Sequence, residues 1–200
     1  MLIRSGELHR EAPDLFVTTM RRLLTIFIIF FLFGCSTANS PVPPADAFLL
    51  RGVPFFRQDD FQCGPSALAT VIHYWYAKKN VDKRPSYDDI VTAVYSPGAG
   101  GVLGIDLELY AKRLGFGAAQ YSGSIADIRD NINKEVPLII LVDYGFLMYQ
   151  GNHFMVTTGY TDGGIVVNSG RKRNEIIPDR ELEKIWQKTG YWSLRIQPSS

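Results

Sequence analysis

Apolar residues recur at helical spacing in the first two thirds of the chain and in continuous or alternating runs after residue 137. Between Cys63 and Lys79 they return every three or four positions, which predicts a helix with one buried face. Ser86 and Asp89 form a capping-box pattern that predicts the start of a second helix. Periodicity and cap residues predict a third and a fourth helix. The second, third and fourth predicted helices cover residues 86–94, 105–114 and 124–133.

Strand patterns dominate the last third of the chain. Residues 138–142 form an unbroken apolar run, which is typical of a central strand. Two strands over 153–160 and 165–168 are predicted to form a hairpin around a Gly-Gly turn, and a closing strand covers 191–196. A short helix is predicted over 179–188. Helices that precede an antiparallel sheet predict an α+β domain.

The first 34 residues have the pattern of an export signal. Two arginines follow Met20, which is a candidate start, and an apolar run of 11 residues ends before Gly34 and Cys35. This run is shorter than the ~20 apolar residues that a membrane-spanning helix needs. Its end resembles the lipobox of bacterial lipoproteins, in which the cysteine is diacylated and becomes the mature N-terminus. The alternatives are ordinary secretion, with Cys35 inside a cut signal, and a single-pass anchor.

Three segments are therefore expected: an export signal over 1–34, a lipidated cysteine with a flexible tether over 35–47, and one globular domain over 48–200. The tether is small, polar and rich in proline, which is typical of a spacer. This organisation predicts a cell-envelope protein that is anchored to a membrane. Its domain would lie outside the cytoplasm, in the periplasm.

Composition excludes several classes of function. The 200 residues include 21 basic and 20 acidic side chains, so binding of a nucleic acid through bulk electrostatics is not expected. Two cysteines and three histidines are too few for a zinc finger, and we expect neither a metal nor a cofactor. The glycine-rich segment 98–101 lacks the spacing of a phosphate-binding loop, which argues against a nucleotide.

Cys63 is the other cysteine of the chain and the one that lies in the predicted globular domain. A lone thiol in an oxidising compartment is open to oxidation, so its presence needs a reason. It stands at the start of the first predicted helix, where backbone N–H groups and the helix dipole favour an anion. Gly64 would let a ligand approach the backbone, and Pro65 is tolerated in a first helical turn. These features predict a nucleophile.

His153 is the histidine best placed to act as the base for this thiol. His9 lies in the export segment, and His73 lies ten residues along the same helix, about 15 Å from the cysteine along its axis. His153 begins a predicted strand after a loop, so its imidazole is expected at an exposed strand end. An imidazole paired with the thiol would form the ion pair that activates a cysteine.

Two further side chains complete the predicted site. Asn168 ends the next strand of the hairpin and could orient His153, as the amide does in Cys-His-Asn triads, or it could be a turn residue before Ser-Gly. Asp162 is the alternative orienting residue, although its Asp-Gly-Gly context favours a turn. Gln58 is the predicted side-chain donor of the oxyanion hole beside the nucleophile's N–H, and Gln62 is its rival.

Two blocks of sequence resemble the C39 family of papain-like cysteine peptidases, which includes the bacteriocin-processing leader peptidases. They are residues 58–69, Gln-Asp-Asp-Phe-Gln-Cys-Gly-Pro-Ser-Ala-Leu-Ala, and residues 153–160, His-Phe-Met-Val-Thr-Thr-Gly-Tyr. The resemblance extends from about Val53 to Pro198. It implies a papain-like fold in which the nucleophile lies at a helix N-terminus that packs on a C-terminal antiparallel sheet.

This resemblance also implies the roles of four residues: Cys63 as nucleophile, His153 as base, Gln58 as oxyanion donor and Asn168 as third member. The chain departs from the family in two places. The leader peptidases usually carry aspartate-proline at the third position, where this chain has Asn-Ser-Gly. In this chain Gln58 also lies one residue closer to Cys63 than the corresponding glutamine lies to the cysteine of papain-type enzymes.

The leading hypothesis is a lipid-anchored cysteine peptidase that hydrolyses peptide bonds by a Cys-His-Asn mechanism. Its partners would be a peptide or protein substrate and the membrane that holds its lipid. A second hypothesis is a catalytically silent C39-like module that binds a peptide or a partner protein in the same groove. A third is an amidase or acyl transferase that acts on a cell-wall peptide with the same nucleophile.

Overall fold

The computed structural model describes residues 47–57, 62–99, 101–145 and 151–199. Cys35, Gln58 and the predicted export signal lie outside the described residues, so those assignments stay predictions. The described ranges contain five α-helices: α1 (Cys63–Lys78), α2 (Tyr87–Val94), α3 (Gly104–Arg113), α4 (Ile125–Asn133) and α5 (Asp179–Trp186). They also contain seven strands: β1 (Phe48–Leu49), β2 (Phe116–Ser122), β3 (Leu138–Asp143), β4 (Asn152–Thr161), β5 (Gly164–Ser169), β6 (Lys172–Pro178) and β7 (Trp192–Pro198).

The strands form one antiparallel sheet in the order β2-β7-β3-β4-β5-β6, and β1 pairs with the second half of β4. The first half of β4 pairs with β3, where Val142 lies opposite His153, and its other edge pairs with β5. Helix α1 packs against β4. The predicted α+β class is confirmed, and the helix that begins with Cys63 lies against the strand that carries His153.

Local capping signals located the helix starts correctly. The Ser86 hydroxyl accepts from the Asp89 N–H at 3.1 Å, and the Asp89 carboxylate accepts from the Ser86 N–H at 2.9 Å, which closes the predicted capping box. Ser124 caps α4 by accepting from the Asp127 N–H at 3.0 Å. Every predicted helix lies within two residues of its observed bounds.

Three strands were not predicted, namely the two-residue strand β1 and the longer strands β2 and β6. Strand β2 contains a Gly-Ala-Ala stretch of low strand propensity, and it forms because all seven of its residues pair with β7. It precedes α4, so the expected order of helices before strands is wrong at this point. Strand β6 begins at Lys172 on the edge of the sheet, where exposed basic side chains are compatible with an edge strand.

The buried face of α1 forms much of the core. Leu68, Val71 and Ile72 are at most 1% exposed, and the indole N–H of Trp75 donates to the Ile196 carbonyl at 2.8 Å. Burial of these side chains on the sheet fixes the helix, and with it the orientation of its N-terminus. Within the described ranges, no helix has the length and apolar character needed to cross a membrane, and no group of three or more metal-ligating side chains is found.

Candidate active site

Cys63 is the first residue of α1, and its side chain is partly buried. The Ser66 N–H donates to the Gln62 carbonyl at 3.0 Å, which closes the first turn of the helix over the cysteine. The Gln62 side chain does not cap the helix. The thiol therefore lies beside the N–H groups that a helix leaves without an internal partner at its N-terminus.

A hydrogen-bond chain links the start of α2 to the start of α1. The Tyr87 hydroxyl donates to Gln62 Oε1 at 2.8 Å, and the Ser66 hydroxyl lies 2.9 Å from the same phenol oxygen. Since the phenol has one proton and directs it to Gln62, the Ser66 hydroxyl is the donor in the second bond. The ring of Tyr87 also stacks on Phe56, with centroids 5.6 Å apart. Nothing in the sequence pointed to this role of Tyr87, because its partners lie more than 20 residues away.

Gly64 has a packing role that the sequence did not reveal. A Cβ at this position would lie 2.9 Å from the Cβ of Val102, which is closer than side chains normally approach. The sequence pattern predicts that this glycine lets a ligand approach, whereas in the structure the close neighbour is the Val102 side chain. Glycine thus allows the segment before α3 to pack directly against the turn that carries Cys63.

His153 lies near the start of β4 with its side chain partly buried. Its Nε2 is 3.1 Å from the hydroxyl oxygen of Ser169, at the end of β5. Burial lowers the pKa of the His153 imidazole, and the nearby carboxylate of Glu175 acts in the opposite direction. Because burial has the larger effect, the neutral ring is favoured, and a neutral imidazole can accept a proton.

The structure does not bring Asn168 to this imidazole. Its side-chain amide donates to the Pro54 carbonyl at 3.4 Å and its oxygen accepts from the Asn174 N–H at 3.1 Å. Asn168 pairs with Val156 across β4 and β5, three residues from the histidine, so its side chain belongs to the other face of the sheet. Ser169, one residue later, lies on the histidine's face and makes the contact predicted for Asn168. Strand alternation is the signal that could have found it.

Asp143 fixes both ends of the loop that leads from β3 to β4. Its Oδ1 accepts from the Gly151 N–H at 2.7 Å and from the Gly145 N–H at 2.6 Å, and these bonds lower the pKa of the carboxyl group. Tyr144 follows Asp143 directly, and its ring centroid lies 6.2 Å from that of His153. The loop ends therefore hold an exposed aromatic side chain beside the imidazole.

A family model described as the Peptidase_C39 like family matches residues 50–194. The chain belongs to this family. The match spans α1 with Cys63 and the β4–β5 hairpin with His153 and Ser169, so both sides of the candidate site lie inside the C39-like domain. The family and the α+β fold predicted from the sequence are confirmed.

Solved structures of three peptidases share the fold. A Bacillus anthracis protein described as a C39-like peptidase has a TM-score of 0.63 at 17% identity, and the match covers 77% of this chain and 98% of that one. A double glycine motif protease from an AMS/PCAT transporter, solved in complex with its leader peptide, has a TM-score of 0.57 at 24% identity, with 76% and 99% covered. The peptidase domain of Streptococcus ComA, a bi-functional ABC transporter involved in quorum sensing, has a TM-score of 0.54 at 17% identity, with 72% and 97% covered.

These TM-scores show that the C39-like chain shares a fold with the three peptidases, and at 17–24% identity the likeness shows the fold alone. No curated protein matches it. The roles of its individual residues therefore depend on its own geometry, which includes a thiol at a helix N-terminus and an imidazole held by a serine hydroxyl.

Proposed function

We propose that this protein is a cysteine peptidase of the cell envelope, with Cys63 as the nucleophile and His153 as the general base. One observation carries the proposal: Cys63 is the first residue of α1 inside the C39-like match, and the Nε2 of His153 on β4 is engaged by Ser169. No hydrogen bond joins the Cys63 thiol to this imidazole among the described residues, so the pairing of the two belongs to the proposal. Such a ring is oriented by one nitrogen and exchanges its proton through the other, Nδ1. Membership of the C39-like family supports peptide bonds as the substrate class.

The reaction would proceed through a thioester. His153 Nδ1 takes the thiol proton while Cys63 Sγ attacks the carbonyl carbon of the peptide bond. The C–N bond then breaks, and the imidazolium gives its proton to the leaving amine. In the second half, water attacks the thioester and gives a proton to the imidazole. The carboxylic acid leaves as the proton returns to sulfur, so the enzyme is restored.

Two donors would stabilise the negative oxygen that develops during attack. The backbone N–H of Cys63 is one, because it belongs to the first turn of α1. Gln58 remains the proposed side-chain donor. Gln62 remains its rival, because Tyr87 binds its oxygen at 2.8 Å and leaves its amide N–H groups to donate elsewhere.

The test is covalent labelling of the purified protein by a peptide that carries a thiol-reactive electrophile. We expect Cys63→Ala to abolish labelling, because the nucleophile is gone, and His153→Ala to slow it strongly, because the base is gone. Circular dichroism of each variant checks that the fold survives. Equal labelling of the wild type and the His153 variant would contradict the proposed pair and favour a binding module that does not use the thiol.

The lipid anchor is part of the same proposal and has its own control. Wild-type protein that has been labelled by the peptide electrophile should sediment with the membrane fraction of the producing cells, because the acyl chains on Cys35 would insert into the bilayer. A Cys35→Ser variant should appear in the soluble fraction. Retention of this variant on membranes would contradict lipidation and leave a spanning segment as the anchor.

A further inference from the structure

The side chain of Tyr87 joins α2 to the first turn of α1. Its hydroxyl bonds to Gln62 Oε1 at 2.8 Å and to Ser66 Oγ at 2.9 Å. Its ring stacks on that of Phe56, with an angle of 9° between the two planes. Tyr87 is also the first residue of α2, whose start is fixed by the Ser86 capping box. The position of the phenol is therefore set by α2 and by the stacked ring as well as by its two hydrogen bonds.

The first turn of α1 has few backbone donors. A helix leaves the N–H groups of its first residues without an internal partner. In α1 the third residue is Pro65, which has no N–H, and the Ser66 N–H already donates to the Gln62 carbonyl at 3.0 Å. The N–H groups of Cys63 and Gly64 are left, and no described residue accepts from either. In the proposed reaction these two donors would face the negative charge that develops during attack by sulfur.

The Gln62 side chain is the nearest competitor for these donors. Gln62 is the N-cap residue of α1, and the side-chain oxygen of an N-cap normally accepts from the second or third N–H of its helix. Since the third residue is a proline, the Gly64 N–H is the donor that such a cap would use. The Gln62 side chain makes no capping bond, however, and its oxygen accepts from the Tyr87 hydroxyl instead. This bond keeps the amide oxygen away from the Gly64 N–H.

Ser66 sets the direction of the phenol proton. Its side chain is buried, at 1% exposure, and its hydroxyl donates to the phenol oxygen because the single proton of the phenol is directed to Gln62. Both bonds need the hydroxyl group of Tyr87, whereas the stacking on Phe56 needs only its ring. A phenylalanine at position 87 would therefore release the Gln62 oxygen and keep the packing.

We propose that Tyr87 is a positioning residue for the reaction at Cys63, because it holds the Gln62 amide oxygen and so leaves the Gly64 N–H available to the developing negative charge. The inference rests on the proposed function, since it gives this donor a part in the attack by sulfur. Tyr87 acts through Gln62 and not by contact with a substrate. Loss of its hydroxyl should therefore slow the chemical step and leave the binding of a peptide unchanged.

The experiment measures how fast the peptide electrophile modifies Cys63 in the purified full-length protein, with the modified residue identified by mass spectrometry. Rates at several concentrations separate kinact, the maximal rate of modification, from KI, the concentration that gives half of this rate. We expect Tyr87→Phe to lower kinact about twofold to tenfold, as for the loss of one neutral hydrogen bond, and to leave KI unchanged. An unchanged kinact would overturn the positioning role.

Tyr74→Phe is the matched control. Tyr74 lies on the same helix, about three turns beyond Cys63, and its hydroxyl donates to the Glu135 carbonyl at 2.9 Å. Both substitutions remove a hydroxyl that is hydrogen-bonded, so both should lower the melting temperature. We expect Tyr87→Phe to slow the modification of Cys63 and Tyr74→Phe to leave its rate unchanged. An equal decrease of kinact in the two variants would show a general loss of stability and would overturn the proposal.

A second substitution tests whether the effect passes through Gln62. Gln62→Met keeps a side chain of similar length and removes the amide oxygen, so the phenol has nothing to hold away from the helix. We expect Tyr87→Phe to have no further effect on kinact in this background. The same decrease of kinact with Gln62 and with methionine at this position would overturn the proposed route.

Failure of the positioning role and failure of the peptidase function give different results. If the electrophile modifies the wild type and Tyr87→Phe equally fast, the positioning role fails and the peptidase function stands. If the peptide electrophile modifies neither protein, the peptidase function fails, and the probe becomes iodoacetamide, which alkylates a thiol without recognising a peptide. Tyr87→Phe should then slow the alkylation of Cys63, and Tyr74→Phe should not. Equal alkylation of the wild type and Tyr87→Phe would overturn the positioning role.

Discussion

Ser169→Ala removes the hydrogen bond that holds the His153 Nε2, which is the one bond to this nitrogen among the described residues. The Ser169 oxygen lies 3.1 Å from this nitrogen, and the residue is only 8% exposed, so water cannot easily replace it. A typical hydrogen bond contributes about 0.5–1.5 kcal/mol net, which corresponds to about a twofold to twelvefold change in rate. We expect labelling of Cys63 by the peptide electrophile to slow by this factor. The loss should be small compared with removal of the imidazole itself.

Asn168→Ala is the matched control, because it changes the neighbouring residue on the other face of the sheet. Its side chain bonds to the Pro54 carbonyl and the Asn174 N–H and is 5% exposed, so the variant leaves two backbone groups without their partner. Such losses cost about 1–3 kcal/mol of folding free energy each. We expect a lower melting temperature with little change in labelling rate.

The assay follows the second-order rate of labelling against pH for both variants, with thermal melts measured alongside. A role in orienting the imidazole predicts that Ser169→Ala changes the rate and its pH profile, and that Ser169→Thr, which keeps the hydroxyl, restores both. An equal slowing by Asn168→Ala, or an unchanged rate in Ser169→Ala, would refute the assignment of Ser169 and return the orienting role to Asn168.

Two more predictions test the surroundings of the site. Gly64→Ala should lower the free energy of unfolding, measured by chemical denaturation, by about 1–3 kcal/mol, because the new methyl group would lie 2.9 Å from Val102. Gly98→Ala is the control, since a Cβ there meets no atom within 4 Å and the variant should be as stable as the wild type. Equal effects of the two substitutions would contradict the packing argument. Glu175→Gln should lower the pKa of His153 further, because the carboxylate that raises it is gone, and an unchanged midpoint in an NMR titration of the imidazole would contradict this cause.

Local patterns predicted the helices and the central strands because each depends on residues close in sequence. The serine caps and the apolar period of α1 need only a few neighbouring positions, and the run over 138–142 is long enough to indicate a strand by itself. Strands β2 and β6 depend instead on partners far along the chain. Residue Ala118 of β2, for example, pairs with Ile196, and no local signal reports that pairing.

The parts of the candidate site that depend on residue type can be predicted from the sequence. The parts that depend on the pairing register of the strands cannot. Cys63 and His153 could be selected because few cysteines and histidines compete with them. The choice between Asn168 and Ser169 turns on a shift of one residue, which reverses the face to which a strand side chain points. The side-chain amide of Asn168 suits the role of an orienting partner for histidine, but the pairing of Asn168 with Val156 places this side chain on the opposite face of the sheet from His153.

The use of a serine at this position has a consequence for how charge is separated. A carboxylate beside Nε2 would stabilise the imidazolium, whereas a hydroxyl carries no charge and can only orient the ring. Burial lowers the pKa of His153, and Glu175 is the charged group that opposes this effect. The lowered pKa favours a neutral resting ring, so under the proposed mechanism the N-terminus of α1 would provide the main stabilisation of the thiolate as the proton leaves sulfur. Under that mechanism the packing of Val102 against Gly64 would matter for chemistry as well as stability, because it holds in place the turn that would support the anion.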